Sequence, residues 1–116
     1  MDIEELQEKV IDYRNQRDWA KYHNPKDLAI SLSLEAGELL EIFQWKSQDE
    51  VELIRTDPKQ RQRVKEELGD IFIYALTMAH EFGFDPAEVI LEKVEINDKK
   101  YPVEKARGRA DKYTAY

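Results

Sequence analysis

The sequence predicts an all-α protein, built as a bundle of four main helices with one short extra helix. Apolar residues recur at spacings of three and four along most of the chain, which is the period of an amphipathic helix. No segment alternates apolar and polar residues as a half-buried strand does. The four glycines and four prolines fall mostly where a helix would begin or end.

The first two helices are delimited by capping signals. Asp2 stands three positions before a glutamate, which is the spacing of a capping box, and the helix it opens is expected to end near Trp19. Asn24 supplies an N-cap and Pro25 a proline at the first helical position, a combination that favours the start of a helix. The apolar spacing then predicts that this long second helix runs to about Trp45.

The remaining helices are marked in the same way. Ser47, again three positions before a glutamate, caps a short third helix. Asp57, which is followed by proline, opens a long fourth helix, and Gly83 is placed to end it. Asp85, also followed by proline, opens the last helix, which Pro102 stops.

Length and composition limit the class of protein. A chain of 116 residues favours one domain over residues 1–116, with residues 102–116 as a basic and aromatic tail. The chain has no cysteine and no apolar run near the roughly 20 residues of a membrane span, so a cytoplasmic protein that binds no membrane is expected. A net charge of −7 disfavours binding to duplex nucleic acid.

Two pairs of acids lie in the apolar stripes of the two long helices. Glu35 falls within the stripe of the second helix and Glu38 on its edge. Glu67 and Asp70 repeat this arrangement on the fourth helix. The two stripes comprise Leu28, Leu32, Leu39 and Ile42, and Val64, Leu68, Ile71, Ala75 and Met78.

These four acids indicate either a metal site or a solvated surface. Carboxylates that face an apolar seam are costly unless a cation neutralises them, and Mg²⁺ prefers oxygen ligands and bridges to phosphates. In a chain that is 37% charged, however, an isolated E-x-x-E is usually surface. A ferritin-like iron site needs a histidine three residues after a glutamate, and neither His23 nor His80 stands there.

Three segments carry a resemblance to a known family: LEAGELLEIFQWK, KEELGDIFIYAL and NDKKYPVEKARGRADKYT. They resemble the MazG-related all-α nucleoside triphosphate pyrophosphohydrolases, particularly the dCTP pyrophosphatase branch. The family pattern is E-x-x-E on one helix and E-x-x-D on a later one, matched here by Glu35, Glu38, Glu67 and Asp70. The resemblance implies an enzyme that hydrolyses a nucleoside triphosphate to its monophosphate and pyrophosphate with Mg²⁺, these four acids being catalytic and metal-binding.

The same resemblance suggests where the nucleoside lies. Trp45 follows Glu38 by seven residues, or about 10 Å along a helix, so it could stack on a base while the acids hold metal and phosphates. Trp19, His23 and Tyr74 are assigned to the nucleoside pocket by resemblance. For each of them a structural role in the bundle is the alternative.

The basic cluster near the end of the chain has two interpretations. One is compensation of a helix dipole by a solvated tail, and the other is a positive rim over a triphosphate. The resemblance favours substrate contacts for Asn97, Lys100 and Tyr101. Further cations follow at Lys105, Arg107 and Arg109.

Both long helices are apolar on further faces, which predicts self-association. Ile30, Leu34, Leu40, Phe72, Ile73 and Leu76 lie outside the main stripes. The resemblance suggests a tetramer built from two dimers, and dCTP or a modified relative as substrate. The alternative function is a non-catalytic helical module for nucleotide binding or protein interaction.

Overall fold

A computed structural model describes residues 1–115 and shows six α-helices and no strand among them. The all-α prediction is therefore confirmed. The helices are α1 (Ile3–Gln16), α2 (Pro25–Phe43), α3 (Gln48–Ile54), α4 (Pro58–Glu81), α5 (Pro86–Lys100) and α6 (Val103–Ala106). Short 3₁₀ turns occupy Ala20–Tyr22 and Tyr113–Ala115, so part of the predicted tail is folded.

The predicted caps are formed. The Asp2 carboxylate accepts a hydrogen bond from the backbone N–H of Glu5 at 2.8 Å, which satisfies an otherwise unpaired donor at the start of α1. Ser47 and Glu50 form a complete capping box at α3. Gly83 follows α4 with a φ of 69°, a left-handed conformation that glycine adopts without strain.

Helices α2 and α4 make the most extensive packing, and their contact positions the site described below. Helix α1 packs against α4 and α5, and α3 packs against the start of α4. The buried apolar core of residues 1–115 is small and consists of Ile11, Leu28, Ile42 and Ile54. Within the described chain, no helix is both long and apolar enough to span a bilayer.

Two predicted helix ends are wrong by two or three residues. Helix α1 ends at Gln16 rather than near Trp19, because Asp18 adopts a φ of 56°, which an α-helix cannot contain. Helix α2 ends at Phe43 rather than at Trp45, whose φ of 66° is also left-handed. The direction of the Trp45 side chain therefore does not follow from helical spacing.

The buried face of α1 also differs from a simple apolar stripe. Ile11 and Arg14 are its buried residues, whereas the side chains of Leu6 and Tyr13 are exposed. Arg14 reaches α4, where its Nη1 donates to the carboxylate of Glu81. An ion pair thus joins α1 to α4 at this position.

Much of the apolar surface remains uncovered. Phe72 on α4 is 63% exposed and Leu34 on α2 is also 63% exposed. Helix α5 exposes a further series of apolar side chains, namely Val89, Ile90, Leu91, Val94 and Ile96. The radius of gyration is 17.5 Å, against about 13 Å expected for a compact domain of this length. The chain is therefore more open than an ordinary small domain.

Candidate metal centre and adjoining pocket

Three of the four predicted acids come together between α2 and α4. Ligand oxygens of Glu35, Glu38 and Glu67 all lie within 4.8 Å of one another. Glu35 and Glu38 are one turn apart on α2, and Glu67 faces them from α4. The carboxylates of Glu35 and Glu67 are half-buried, while Glu38 is exposed. We refer to these three residues as the acid cluster.

The acid cluster has unsatisfied oxygen atoms. Oε2 of Glu35 and Oε2 of Glu67 are buried and have no hydrogen-bond partner among residues 1–115. Neither carboxylate forms an ion pair with a lysine or arginine in that part of the chain. Leaving buried anionic oxygens unpaired costs several kcal/mol, so the cluster requires a proton or a cation. Oxygen donors of this kind fit Mg²⁺, which takes carboxylate ligands.

Electrostatics within the cluster follow from this crowding. Burial first, and then the neighbouring Glu67 and Glu38 carboxyls and the charge of Asp70, together raise the pKa of the Glu35 carboxyl to about 7. Asp70 is exposed and lies outside the group of three close oxygens. It lines the adjacent pocket instead, one turn along α4 from Glu67.

This raised pKa predicts a pH-dependent stability of the metal-free protein. The native state binds more protons than the unfolded chain between the ordinary pKa of 4.5 and about 7, so the free energy of unfolding should fall as pH rises through that window. The loss attributable to Glu35 is at most about 3 kcal/mol. Urea unfolding in a chelator between pH 5 and 8 measures it. Parallel pH profiles for the parent and Glu35→Gln would contradict the prediction.

A pocket of about 350 Å³ lies beside the acid cluster, between α1, the 3₁₀ turn and α4. That volume is at the lower end of the roughly 300 to 1,000 Å³ typical of small-molecule sites. Its apolar and aromatic walls are Val10, Tyr13, Trp19, Ile73 and Tyr74. Its polar side chains are Lys9, Arg14, His23, Asp70 and Thr77.

Local contacts hold the aromatic wall. Trp19 meets the ring of Tyr13 edge-on at 5.8 Å between centroids. The guanidinium of Arg17 stacks on the Tyr13 ring at 3.7 Å, and its Nη1 donates to the Tyr13 carbonyl at 3.0 Å. The indole of Trp19 thus borders the pocket, and its contact with the Tyr13 ring helps to fix its orientation.

The structure brings some predicted substrate residues to this pocket and leaves others apart. Trp19, His23 and Tyr74 line it, together with Asp70. Trp45 does not line it and is 91% exposed. The remaining predicted residues, Asn97, Lys100 and Tyr101, are half-buried at the end of α5 and are also absent from the lining.

The end of α5 packs instead with the last turn of the chain. Lys100 Nζ lies 5.1 Å from the centre of the Tyr113 ring, and Tyr101 meets the same ring edge-on at 5.9 Å. The following cations Lys105, Arg107 and Arg109 are exposed. This basic segment is therefore ordered around Tyr113, apart from the pocket of its own chain.

Sequence reasoning missed Arg14. It stands within an amphipathic helix where a charged residue is expected at the surface, and only the contact of α1 with α4 shows its burial. Burial lowers the pKa of the neighbouring His23, and the charge of Arg14 lowers it further, against an opposing effect of Glu81. Because Glu81 is 67 positions away, no local sequence signal pointed to this pairing.

Comparison with known proteins decides the family. A profile of the MazG-like family matches residues 30–115, which include both acid pairs. This chain belongs to the MazG-like family. The predicted family resemblance is thus confirmed, and the matched range contains all three residues of the acid cluster.

Curated relatives of this family member carry the name dCTP pyrophosphatase 1. The mouse protein is 37% identical over 112 residues, which is 97% of this chain and 66% of the mouse protein. The human protein is 35% identical over the same shares of the two chains. This chain thus spans about two thirds of the length of these relatives.

A solved structure agrees with the fold. The crystal structure of a pyrophosphatase from Archaeoglobus fulgidus superposes with a TM-score of 0.78 at 42% identity, covering 86% of this chain and 92% of that one. The helical arrangement described above is therefore that of a pyrophosphatase of known structure.

Proposed function

We propose that this protein is an enzyme that hydrolyses a nucleoside triphosphate to its monophosphate and pyrophosphate with Mg²⁺. The observation that carries the proposal is the pair of buried, unpartnered carboxylate oxygens of Glu35 and Glu67 beside an aromatic pocket. Pyrophosphatase names among the relatives of this family member support the reaction class. A non-catalytic module would have no use for such costly buried charge.

The residues suit displacement at a phosphate. Glu35, Glu38 and Glu67 would hold Mg²⁺, with Asp70 as the fourth acid facing the pocket. When bound, the ion neutralises phosphate charge and so favours attack at the polyphosphate. Water would attack the α- or the β-phosphorus, and the bond from that phosphorus to the bridging α–β oxygen would break. The bridging oxygen would leave with the pyrophosphate or with the monophosphate respectively, and one of these acids would accept the water proton.

The base and sugar would then occupy the pocket beside the acids. Every nucleoside triphosphate presents the same phosphates, so discrimination depends on this pocket. The names of the curated relatives favour dCTP or a cytosine-modified relative as substrate. Release of pyrophosphate across a panel of nucleotides, with and without Mg²⁺, tests both parts. No release from any of them with Mg²⁺ present would refute the proposal.

We expect Trp19→Ala to raise the Michaelis constant for the preferred nucleotide. Stacking on an aromatic side chain is worth about 1 to 3 kcal/mol, so the increase should be roughly 5-fold to 150-fold. The Mg²⁺ dependence should stay as in the parent. Steady-state kinetics of Trp45→Ala in the same assay test the sequence prediction that Trp45 stacks on the base. Unchanged Michaelis constants for Trp19→Ala would place the base elsewhere.

The proposed enzyme is a homo-oligomer, for which the family resemblance suggests a tetramer. The support is the uncovered apolar surface of α2, α4 and α5 together with the small core of the protomer. So many exposed large apolar side chains favour an interaction surface.

A further inference from the structure

The pocket lining includes a buried arginine whose role the family reaction does not define. The side chain of Arg14 is 7% exposed and belongs to the pocket lining. Its Nη1 donates to the Glu81 carboxylate, and its Nε donates to Asn15 Oδ1 at 3.3 Å. Nη2 has no hydrogen-bond partner within residues 1–115. Three N–H groups, two on Nη2 and the second on Nη1, thus remain for a ligand.

His23 supplies a second unsatisfied group at the same end. Its Nδ1 is buried and has no hydrogen-bond partner among the described residues. Desolvation and the Arg14 charge both favour the neutral imidazole, which offers one donor and one acceptor. Thr77, by contrast, is satisfied, because its hydroxyl donates to the Ile73 carbonyl at 2.7 Å. Arg14 and His23 thus combine burial with unused hydrogen-bonding capacity in this lining.

We infer that Arg14 is the specificity-determining residue of the pocket and reads the edge of the nucleotide base, with His23 beside it and Glu81 as its positioning residue. This inference deepens the proposed function, because it takes the base to enter the pocket. The aromatic wall binds any base through its face, whereas a guanidinium recognises only an edge that carries acceptors.

The chemistry of the bases then sets the preference. Cytosine presents two adjacent acceptors, N3 and O2, which match the parallel N–H groups of a guanidinium. Thymine and uracil carry a proton on N3, so a donor would face a donor. The small volume of the pocket favours a pyrimidine over the larger guanine, which also offers paired acceptors. Arg14 thus selects a cytosine-type base.

Glu81 fixes this donor in place. An unpaired guanidinium at this depth would be costly, and the Glu81 carboxylate, itself partly buried on α4, compensates it. The ion pair uses an N–H group of Nη1 and leaves the N–H groups of Nη2 without a partner within residues 1–115. Removing Glu81 would therefore disturb recognition through Arg14, without any contact of its own to the base.

The test compares dCTP and dTTP in the parent, Arg14→Lys, Arg14→Met and the charge exchange R14E/E81R. Arg14→Lys keeps the charge opposite Glu81 and so protects the fold, and the exchange keeps the ion pair but moves the guanidinium to α4. Arg55→Met is the matched control, since Arg55 forms an exposed pair with Glu52 on α3. Melting temperatures are recorded for every variant.

Two readouts are taken. Calorimetry measures binding of the α,β-methylene analogues of dCTP and dTTP, which contain no hydrolysable α–β linkage, and kinetics measure kcat/KM for both nucleotides. The preference for the cytosine nucleotide should fall by roughly 5-fold to 150-fold in all three Arg14 variants, the range expected for a bidentate base contact. It should be unchanged in Arg55→Met.

The inference is overturned if the parent binds both analogues equally, or if the preference survives in Arg14→Lys and in the charge exchange. A charge exchange that restores both melting temperature and preference would reduce Arg14 to a structural role and also overturns it. Selective binding without pyrophosphate release would leave base recognition standing while refuting the proposed reaction. Pyrophosphate release with an unaltered nucleotide preference in the Arg14 variants would leave the proposed reaction standing while refuting base recognition by Arg14.

Discussion

Replacing any one of the four acids with its amide should abolish measurable turnover, a loss of about a hundredfold or more. The variants are Glu35→Gln, Glu38→Gln, Glu67→Gln and Asp70→Asn. Three of these carboxylates share one small volume, and the fourth lies beside it at the pocket, so a missing charge weakens the same centre in each case. Initial rates of pyrophosphate release at saturating Mg²⁺ measure the effect.

The same variants should keep or gain stability without metal. Glu35→Gln and Glu67→Gln remove buried, unpartnered carboxylates, so their melting temperatures in a chelator should equal or exceed that of the parent. Adding Mg²⁺ should raise the melting temperature of the parent and barely change that of the variants. Glu41→Gln, an exposed residue of α2, is the matched control and should behave like the parent. Full activity in any two of the four acid variants would end the metal assignment.

Self-association is the second large expected effect. Light scattering should report a multimer of the 13.8 kDa chain at micromolar concentration, a tetramer by family resemblance. Phe72→Glu should dissociate it at least in part, because Phe72 is 63% exposed in the protomer and a carboxylate in an apolar interface is costly. Gln62→Glu introduces the same charge at an exposed polar position of α4 and should leave the mass unchanged.

The outcome that contradicts this prediction is a stable parent monomer at micromolar concentration. The exposed apolar faces of α2, α4 and α5 would then remain in contact with solvent in a stable monomer. Equal masses for the parent and Phe72→Glu, both multimeric, would instead exclude Phe72 from the interface and leave Leu34 and the α5 surface as the regions to substitute.

The helices were predictable because their signals are local. Asp2, Asn24, Ser47, Asp57 and Asp85 each cap a helix at the expected position. The meeting of α2 with α4 also followed from their stripes, since two acid pairs in apolar seams are best accommodated facing one another. Family resemblance supplied the chemistry, which periodicity alone does not specify.

The errors lie where tertiary contacts override local pattern. Trp45 continues the apolar spacing of α2, but the backbone turns left-handed at that residue and removes it from the helical frame. Arg14 and Glu81 are 67 positions apart, so no local pattern indicates that they pair. The set of residues that line the pocket depends on this packing of α1 against α4, whereas the acid cluster depends on residue spacing within α2 and α4.

If the chain self-associates, its small core would make its stability depend on concentration. Four buried aliphatic side chains offer little apolar burial with which to offset the entropy of ordering 116 residues. If association supplies the remainder, dilution weakens the folded state itself, and the melting temperature has no single value without a stated amount of protein. The lifetime of a newly made chain in the cell would then depend on how soon it meets another copy.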